Sequence, residues 1–306
     1  MAKRFGSHGK LLLSGEYGVL NGALALAVPV KYSQWFDVAE NDSIGAAVLS
    51  WEAKNNGKPW FNAKFEKNSL KILETNNKYI AEKLKELLGT ARKLNSKFLS
   101  ENASCMVQTN TDFDMAWGLG SSSTLIVNVS RWSGVDLYEL FFKVSEGSGY
   151  DVACTSAATP VLYKKEGHKP YVEKVSFYPG FHACIYFVYL GLKQDTEINV
   201  RRFLSEKKCS PGQIEKISLI TQKMVTAKSL EAFIEAIDEH EQLISGLINV
   251  QPVKHQFPDF KGTLKSLGAW GGDFMMVASK CTDKQIREYF NNKGLRTVIP
   301  FNEMIL

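Results

Sequence analysis

The hydrophobic pattern changes character along the chain. In the first third, Lys10 to Leu13, Ala23 to Val30, Gln34 to Ala39, Ala46 to Trp51 and Trp60 to Phe65 carry β-branched, aromatic or alternating apolar residues, which predicts strands of a sheet. Between Tyr79 and Leu99 the spacing switches. Ile80, Leu84, Leu87 and Leu88 recur at helical intervals with lysines and glutamates between them, so an amphipathic helix is expected. A strand at Ser104 to Gln108 then leads through a glycine-serine loop into the apolar segment Leu125 to Trp132.

In the second half, Val161 to Tyr163, Val172 to Phe177 and Ala183 to Tyr189 read as strands, and Ile214 to Val225 and Leu230 to Ile248 as long helices, the latter begun by Ser229. The chain closes as strand (Phe274 to Ala278), helix (Asp283 to Asn291) and strand (Leu295 to Ile299). Helices clustered between strands predict an α+β architecture rather than a doubly wound parallel sheet. A boundary near Pro179 and Gly180 divides the chain into 1–178 and 179–306.

With 306 residues and 44% hydrophobic content, the chain can fill a sizeable core. Its 37 basic and 32 acidic residues are mixed, with no basic tract interleaved with aromatics, so the net charge of +5 does not call for nucleic acid. Five scattered cysteines without CxxC spacing predict neither disulfides nor structural zinc, and fit a reducing cytoplasm. Gly15, Glu16 and Asn21 interrupt the apolar run after Lys3 and Arg4, so no signal peptide or membrane span is expected there.

Four segments carry candidate chemistry. Trp117-Gly118-Leu119-Gly120-Ser121-Ser122-Ser123-Thr124 puts two glycines and three serines at a helix start. Backbone N–H groups and the helix dipole can hold a phosphate there; a serine-capped ordinary helix is the alternative. The loop lacks the lysine of a Walker motif. In Gly147-Ser148-Gly149-Tyr150-Asp151 an aspartate follows a glycine turn, placed either to take a proton from an attacking hydroxyl or to cap a helix. Lys265 to Asp273, SLGAWGGD after the lysine, is expected to lie between a helix and a strand, close to a ligand or as a plain turn. Gly9 to Leu20 contains Lys10, which can neutralise phosphate charge or keep an aspartate ionised, or be a solvated strand end. His240 with Glu239 and Glu241 is expected on a solvated helix face, because no second histidine follows at i+4.

In this order, SGEYGVL, WGLGSSSTL, GSGYDVA and SLGAWGGDF resemble the GHMP kinases, and within them a bacterial subgroup with a Gly-Tyr-Asp-Ile-Ala signature, here with Val152 for the isoleucine. The subgroup is similar to mevalonate kinase and phosphomevalonate kinase. The resemblance implies a two-lobed fold, a ribosomal-S5-like N-terminal domain and a ferredoxin-like C-terminal domain with ATP between them. It implies that Gly118, Leu119, Gly120, Ser121, Ser122 and Ser123 hold ATP and that Ser122, with Ser121 second, contacts Mg2+, for which Glu139 or Glu146 is the acidic candidate. Asp151 and Lys10 would be catalytic. Glu16, Tyr17, Thr196, Gly268, Gly271 and Gly272 would lie toward a small-molecule substrate, mevalonate or its monophosphate. A homodimer is compatible with it, and neither nucleic acid nor membrane is called for.

Some positions depart from the family pattern. Asp114-Met115-Ala116-Trp117 stands where a proline and a further glycine are usual, Leu140 where mevalonate kinases carry a metal-binding glutamate, and no histidine lies near Tyr17. For a phosphorylated substrate, Lys193, Arg201 and Arg202 are either a basic pocket or a solvated helix face. Other readings of the same resemblance are a homoserine or sugar kinase, a decarboxylase, and a catalytically silent metabolite sensor.

Overall fold

The computed structural model describes residues 3–41, 47–101, 103–192, 196–206, 209–270 and 272–306; for 41, 196 and 197 it describes the backbone alone. The chain runs β1 (Lys3–Ser14), β2 (Ala25–Asn41), β3 (Val48–Asn55), β4 (Lys58–Glu66), β5 (Ile72–Thr75), α1 (Lys78–Leu94), β6 (Ser104–Thr111), α2 (Ser121–Ser133), α3 (Leu137–Val144), α4 (Tyr150–Ala157), β7 (Val161–Lys164) and β8 (Tyr171–Lys174). It continues through β9 (Ile185–Tyr189), α5 (Thr196–Glu206), α6 (Pro211–Thr226), α7 (Leu230–Ile248), β10 (Thr263–Ser266), β11 (Phe274–Ala278), α8 (Asp283–Asn292), β12 (Val298–Pro300) and α9 (Phe301–Met304). This is the mixed α+β class that the pattern predicted.

Two compact units share these elements. The first comprises Met1–Gly9, Tyr32–Met115 and Gly120–Ser145, the second Lys10–Lys31, Ala116–Leu119 and Glu146–Leu306. This is a different division from a single cut after residue 178, because β1 and β2 are long strands whose halves belong to different units.

In the first unit the strand order is β5-β4-β3-β6-β2, with β1 beside β2. β3 and β6 are parallel, with Leu49 opposite Cys105, while the β3–β4, β4–β5 and β2–β6 pairs are antiparallel. Helix α1 forms because Asn77 accepts from the Ile80 N–H at its start and because Ala81, Leu84, Leu87, Leu88 and Ala91 fall on one buried face. It stops at Leu94, short of the expected Leu99. That face packs with Phe36, Trp51, Phe65 and Val107 of the sheet and with Val129 and Leu140 of α2 and α3. Each such large side chain withdrawn from water contributes roughly 1.5–3 kcal/mol.

In the second unit the order β10-β11-β9-β12 is antiparallel throughout. Ala25 to Ala27 of β2 pair with β7, and β7 with β8. α6 opens with a full capping box, Ser210 with Gln213, and packs on α7, which in turn lies on β10. The third motif is therefore entered from a strand rather than from the expected helix. Thr263-Leu264-Lys265-Ser266 is buried at every position, so it has no alternating pattern to reveal it. Among the described residues no helix is long and apolar enough to cross a membrane.

Candidate active site

The glycine-serine loop is held open by backbone conformation. Gly118 has φ 68° and Gly120, the residue that caps α2, has φ 89°; both lie in the left-handed region that glycine enters without a Cβ penalty. The N-cap of α2 is Gly120, which has no side chain to offer, and the Thr124 hydroxyl donates to the Ser121 carbonyl at 2.8 Å. Ser121 is half-buried, Ser122 exposed and Ser123 buried. The cap position of α2 is thus held by a glycine and not by a serine. Trp117 is an anchor, its ring 5.6 Å from that of Phe274 and 6.5 Å from that of Tyr189, whose hydroxyl donates to the Ala116 carbonyl at 3.1 Å.

Lys10 ties this loop to the Gly-Tyr-Asp turn. Its backbone N–H donates to the Leu119 carbonyl at 2.9 Å and its ammonium to the Gly118 carbonyl at 3.3 Å. The same ammonium lies over the Tyr150 ring, 5.6 Å from its centroid. Burial pushes the Lys10 pKa down, but Tyr150, Asp151 and Asp273 push it up by more, and the net direction is upward. Burial also raises Tyr150, so at neutral pH its phenol carries no charge and the two carboxylates compensate the lysine. Lys10 is a fixed cation. It is not a solvated strand end.

Asp151 sits in the first turn of α4, whose cap is Gly149 with φ 92°. A carboxylate is favoured at that end of the helix dipole. The turn before it is pinned by Tyr163, buried in β7, whose hydroxyl donates to the Ser148 carbonyl, and by Lys165, which donates to the Gly147 carbonyl at 3.4 Å.

Glu16 is fully enclosed. Its carboxylate pairs with Lys265, itself fully buried, and lies 3.1 Å from Nε2 of His240. Nε2 is also 3.1 Å from the Gly15 N–H, so the ring either accepts from Gly15 or donates to Glu16. Burial and Lys265 lower the His240 pKa, which keeps it neutral. Glu241 accepts from the Ser266 N–H at 3.1 Å and from its hydroxyl at 3.2 Å, and burial pushes its pKa up to about 7. The expected solvated face at His240 and Glu241 is therefore corrected: both are buried, and only Glu239 fits it, paired with Lys223 at 2.7 Å. α7 turns them inward because they face the polar end of β10, not an apolar layer.

Tyr17 adopts φ 60°, donates its hydroxyl to the Ala269 carbonyl at 2.8 Å and packs on Phe203 at 5.0 Å. Burial pushes its pKa up to about 12. In the third motif Gly268 has φ 62° and Gly272 is buried. Trp270 and Asp273 hold φ 59° and 52°, where non-glycine residues are strained. Trp270 is buried with Leu20, Ile217 and Ile244.

Other expected residues are placed apart from this cluster or outside the description. Glu146 is exposed and accepts from Arg201 Nε at 3.0 Å; Arg202 pairs with Glu206 at 3.2 Å. Gly271, Lys193 and the Thr196 side chain lie outside the described residues. Leu140, at the usual place of the metal-binding glutamate, is fully buried in the core of the first unit. Among the described residues no group of three or more His, Cys, Asp or Glu is arranged to hold a metal ion. Within the second unit, left-handed Gly118 and the Lys10 ammonium at its carbonyl are groups that a polyphosphate can use. Sequence reasoning left Tyr150, Asp273, Lys265 and Glu241 without these roles, since each lies in a motif read for its glycines or on a helix read as exposed.

No protein-family model and no curated protein matches the chain. Solved structures do. Streptococcus pneumoniae phosphomevalonate kinase in complex with phosphomevalonate and AMPPNP superposes with TM-score 0.73 at 16% identity, covering 97% of this chain and 99% of that one. Methanococcus jannaschii mevalonate kinase gives 0.70 at 15%, covering 98% and 97%. Lactococcus lactis galactokinase complexed with galactose gives 0.67 at 11%, covering 100% and 93%. The chain has the fold of the GHMP kinases, as its motifs implied.

Proposed function

We propose that this chain is an ATP-dependent small-molecule kinase, with mevalonate and phosphomevalonate as its leading acceptors. The observation that carries the reading is Lys10, which hydrogen-bonds the Gly118 carbonyl of the glycine-serine loop while its charge is balanced by Asp151. A phosphoryl-transfer enzyme needs that linkage, because the cation must stabilise charge on the transferred group without losing the base beside it.

In this reading Gly118 to Ser123 cradle the triphosphate through backbone N–H groups and serine hydroxyls. Asp151 takes the proton of an acceptor hydroxyl as its oxygen bonds to the γ-phosphorus, and ADP leaves with the electrons of the broken P–O bond. Lys10 holds its positive charge beside Asp151. Magnesium, when bound, neutralises phosphate charge, with Ser122 offering one oxygen. Glu146 serves as a ligand only if its exposed pair with Arg201 opens, a change that costs about 0–1 kcal/mol. Tyr17, Gly268 and Gly272 are assigned to the acceptor; supporting this, Tyr17 bonds the Ala269 carbonyl within the third motif, and Glu16 pairs with Lys265 at the start of that motif.

ADP release measured against mevalonate, phosphomevalonate, homoserine and galactose tests the proposal. Turnover on at least one is expected. Tight nucleotide binding without turnover on any would replace the kinase by a nucleotide-binding sensor.

A further inference from the structure

His240 is fully buried on α7, and two groups of the first motif compete for its ring. β1 ends at Ser14, and the next backbone N–H, that of Gly15, donates to Nε2 at 3.1 Å. Oε2 of Glu16 approaches the same nitrogen to 3.1 Å yet makes no hydrogen bond there, and Nδ1 has no partner either. One imidazole nitrogen cannot accept from Gly15 and donate to Glu16 at once. The geometry selects Gly15, so the ring proton belongs on Nδ1, although this leaves Glu16 Oε2 and His240 Nδ1 buried and unpaired. Buried polar atoms left in this way need a reason beyond packing.

The bond that is kept fixes a tight turn. Gly15 holds φ 93°, and a Cβ there would fall 2.7 Å from the Ala25 Cβ, so the turn is pressed against the start of β2. Tyr17 holds the strained φ 60° and reaches the Ala269 carbonyl with its hydroxyl, while Glu16 between them pairs with Lys265. α6 braces the chain on either side, through Ser14 with Thr221 at 2.8 Å and through the Leu24 N–H to the Ser218 hydroxyl at 2.9 Å. His240 holds the turn between those braces. A shift of Gly15 would be passed to both side chains that reach the third motif, where small displacements weaken binding and turnover.

Resting on the kinase reading, we propose that His240 is a positioning residue for the acceptor: by accepting the Gly15 N–H it sets the turn that aims Glu16 and Tyr17 at the third motif. The ring is enclosed, so it acts through Gly15 and not by contact with either substrate. Burial and Lys265 keep it neutral, as a ring that accepts a hydrogen bond must be.

Steady-state kinetics of the full chain, on whichever of mevalonate, phosphomevalonate, homoserine and galactose it turns over, test this in wild type, His240→Gln and His240→Asn. Glutamine carries an oxygen at the reach of Nε2 and can accept from Gly15; asparagine ends at the reach of Nδ1 and cannot. Both amides lose the packing of the ring, and thermal melts measure that shared loss. Asparagine is expected to raise the acceptor KM at least about tenfold, as loss of one buried hydrogen bond can, while the ATP KM changes less than about threefold. Glutamine should keep the acceptor KM within about threefold of wild type. An unchanged acceptor KM in asparagine, or equal rises in both variants, overturns the proposal while the kinase reading stands. Should asparagine not fold, the wild-type ring decides: with 15N-labelled histidine, the proton of His240 is expected on Nδ1, and a proton on Nε2 overturns the proposal. Absence of wild-type turnover on all four acceptors overturns the kinase reading and this proposal together.

Discussion

Glu241 shows how a buried residue can set the pH response of the molecule. Burial is the largest influence on it and Glu16 adds to the upward push, whereas Lys265 and both bonds from Ser266 oppose it; His240 beside it is neutral. The balance puts its pKa at about 7, above the ordinary value of 4.5. A carboxyl raised by folding contributes stability that is complete below the unfolded pKa and is lost as pH rises through the folded one. Stability should therefore decline between about pH 5 and pH 8, by at most about 3 kcal/mol at 1.36 kcal/mol per unit. Urea unfolding across that range, in wild type and Glu241→Gln, checks this. The glutamine variant should lose that part of the slope, and equal slopes would remove Glu241 as its source. None of this was legible in the sequence, where Glu239, His240 and Glu241 share one polar stretch and only the fold turns two of them inward.

At the scale of the element, the glycine-serine loop was legible and its opposing wall was not. Two glycines before a serine run announce a left-handed entry to a helix, and Gly118 and Gly120 both adopt it. Nothing in GGDF announces that the aspartate folds back on Gly118, because that contact joins residues 155 positions apart. α3 went unread for a different reason: its eight residues are too few for a periodic signal, although Asp136 capping Glu139 at 2.8 Å is a start signal visible in the chain. A prediction follows from the loop's two constraints. Gly118→Ala should weaken binding of magnesium-ATP at least tenfold, since the alanine meets both a backbone penalty of about 1–2 kcal/mol and the Asp273 carboxylate. Adding Asp273→Gly should restore part of that loss. Titrations of the single and double variants measure the coupling, and strictly additive losses would mean that the carboxylate does not confine position 118.

At the scale of the whole molecule, the order of four short motifs foretold the fold better than any single motif did, because each alone has an ordinary structural use. Lys10, the Gly118 loop and Asp151 are far apart in sequence, yet the second unit gathers Lys10, Gly118, Leu119, Asp151 and Asp273 together. What motif order leaves open is the acceptor, and Asp151 offers a way to decide it. An alcohol must lose a proton as it attacks, so removing the base should cost turnover the 10²- to 10⁴-fold that general base catalysis typically supplies. A phosphate monoester has its second pKa near 6, so at pH 7.5 its attacking oxygen is already ionised and a base has little to remove. Asp151→Asn should therefore reduce kcat at least about 100-fold on mevalonate but less than about tenfold on phosphomevalonate. ADP release with each acceptor, alongside ATP affinity to confirm that the loop is intact, measures the two losses. A loss below tenfold on the hydroxyl acceptor would show that Asp151 is not the base; a large and equal loss on both would assign it to holding Lys10 rather than to moving a proton.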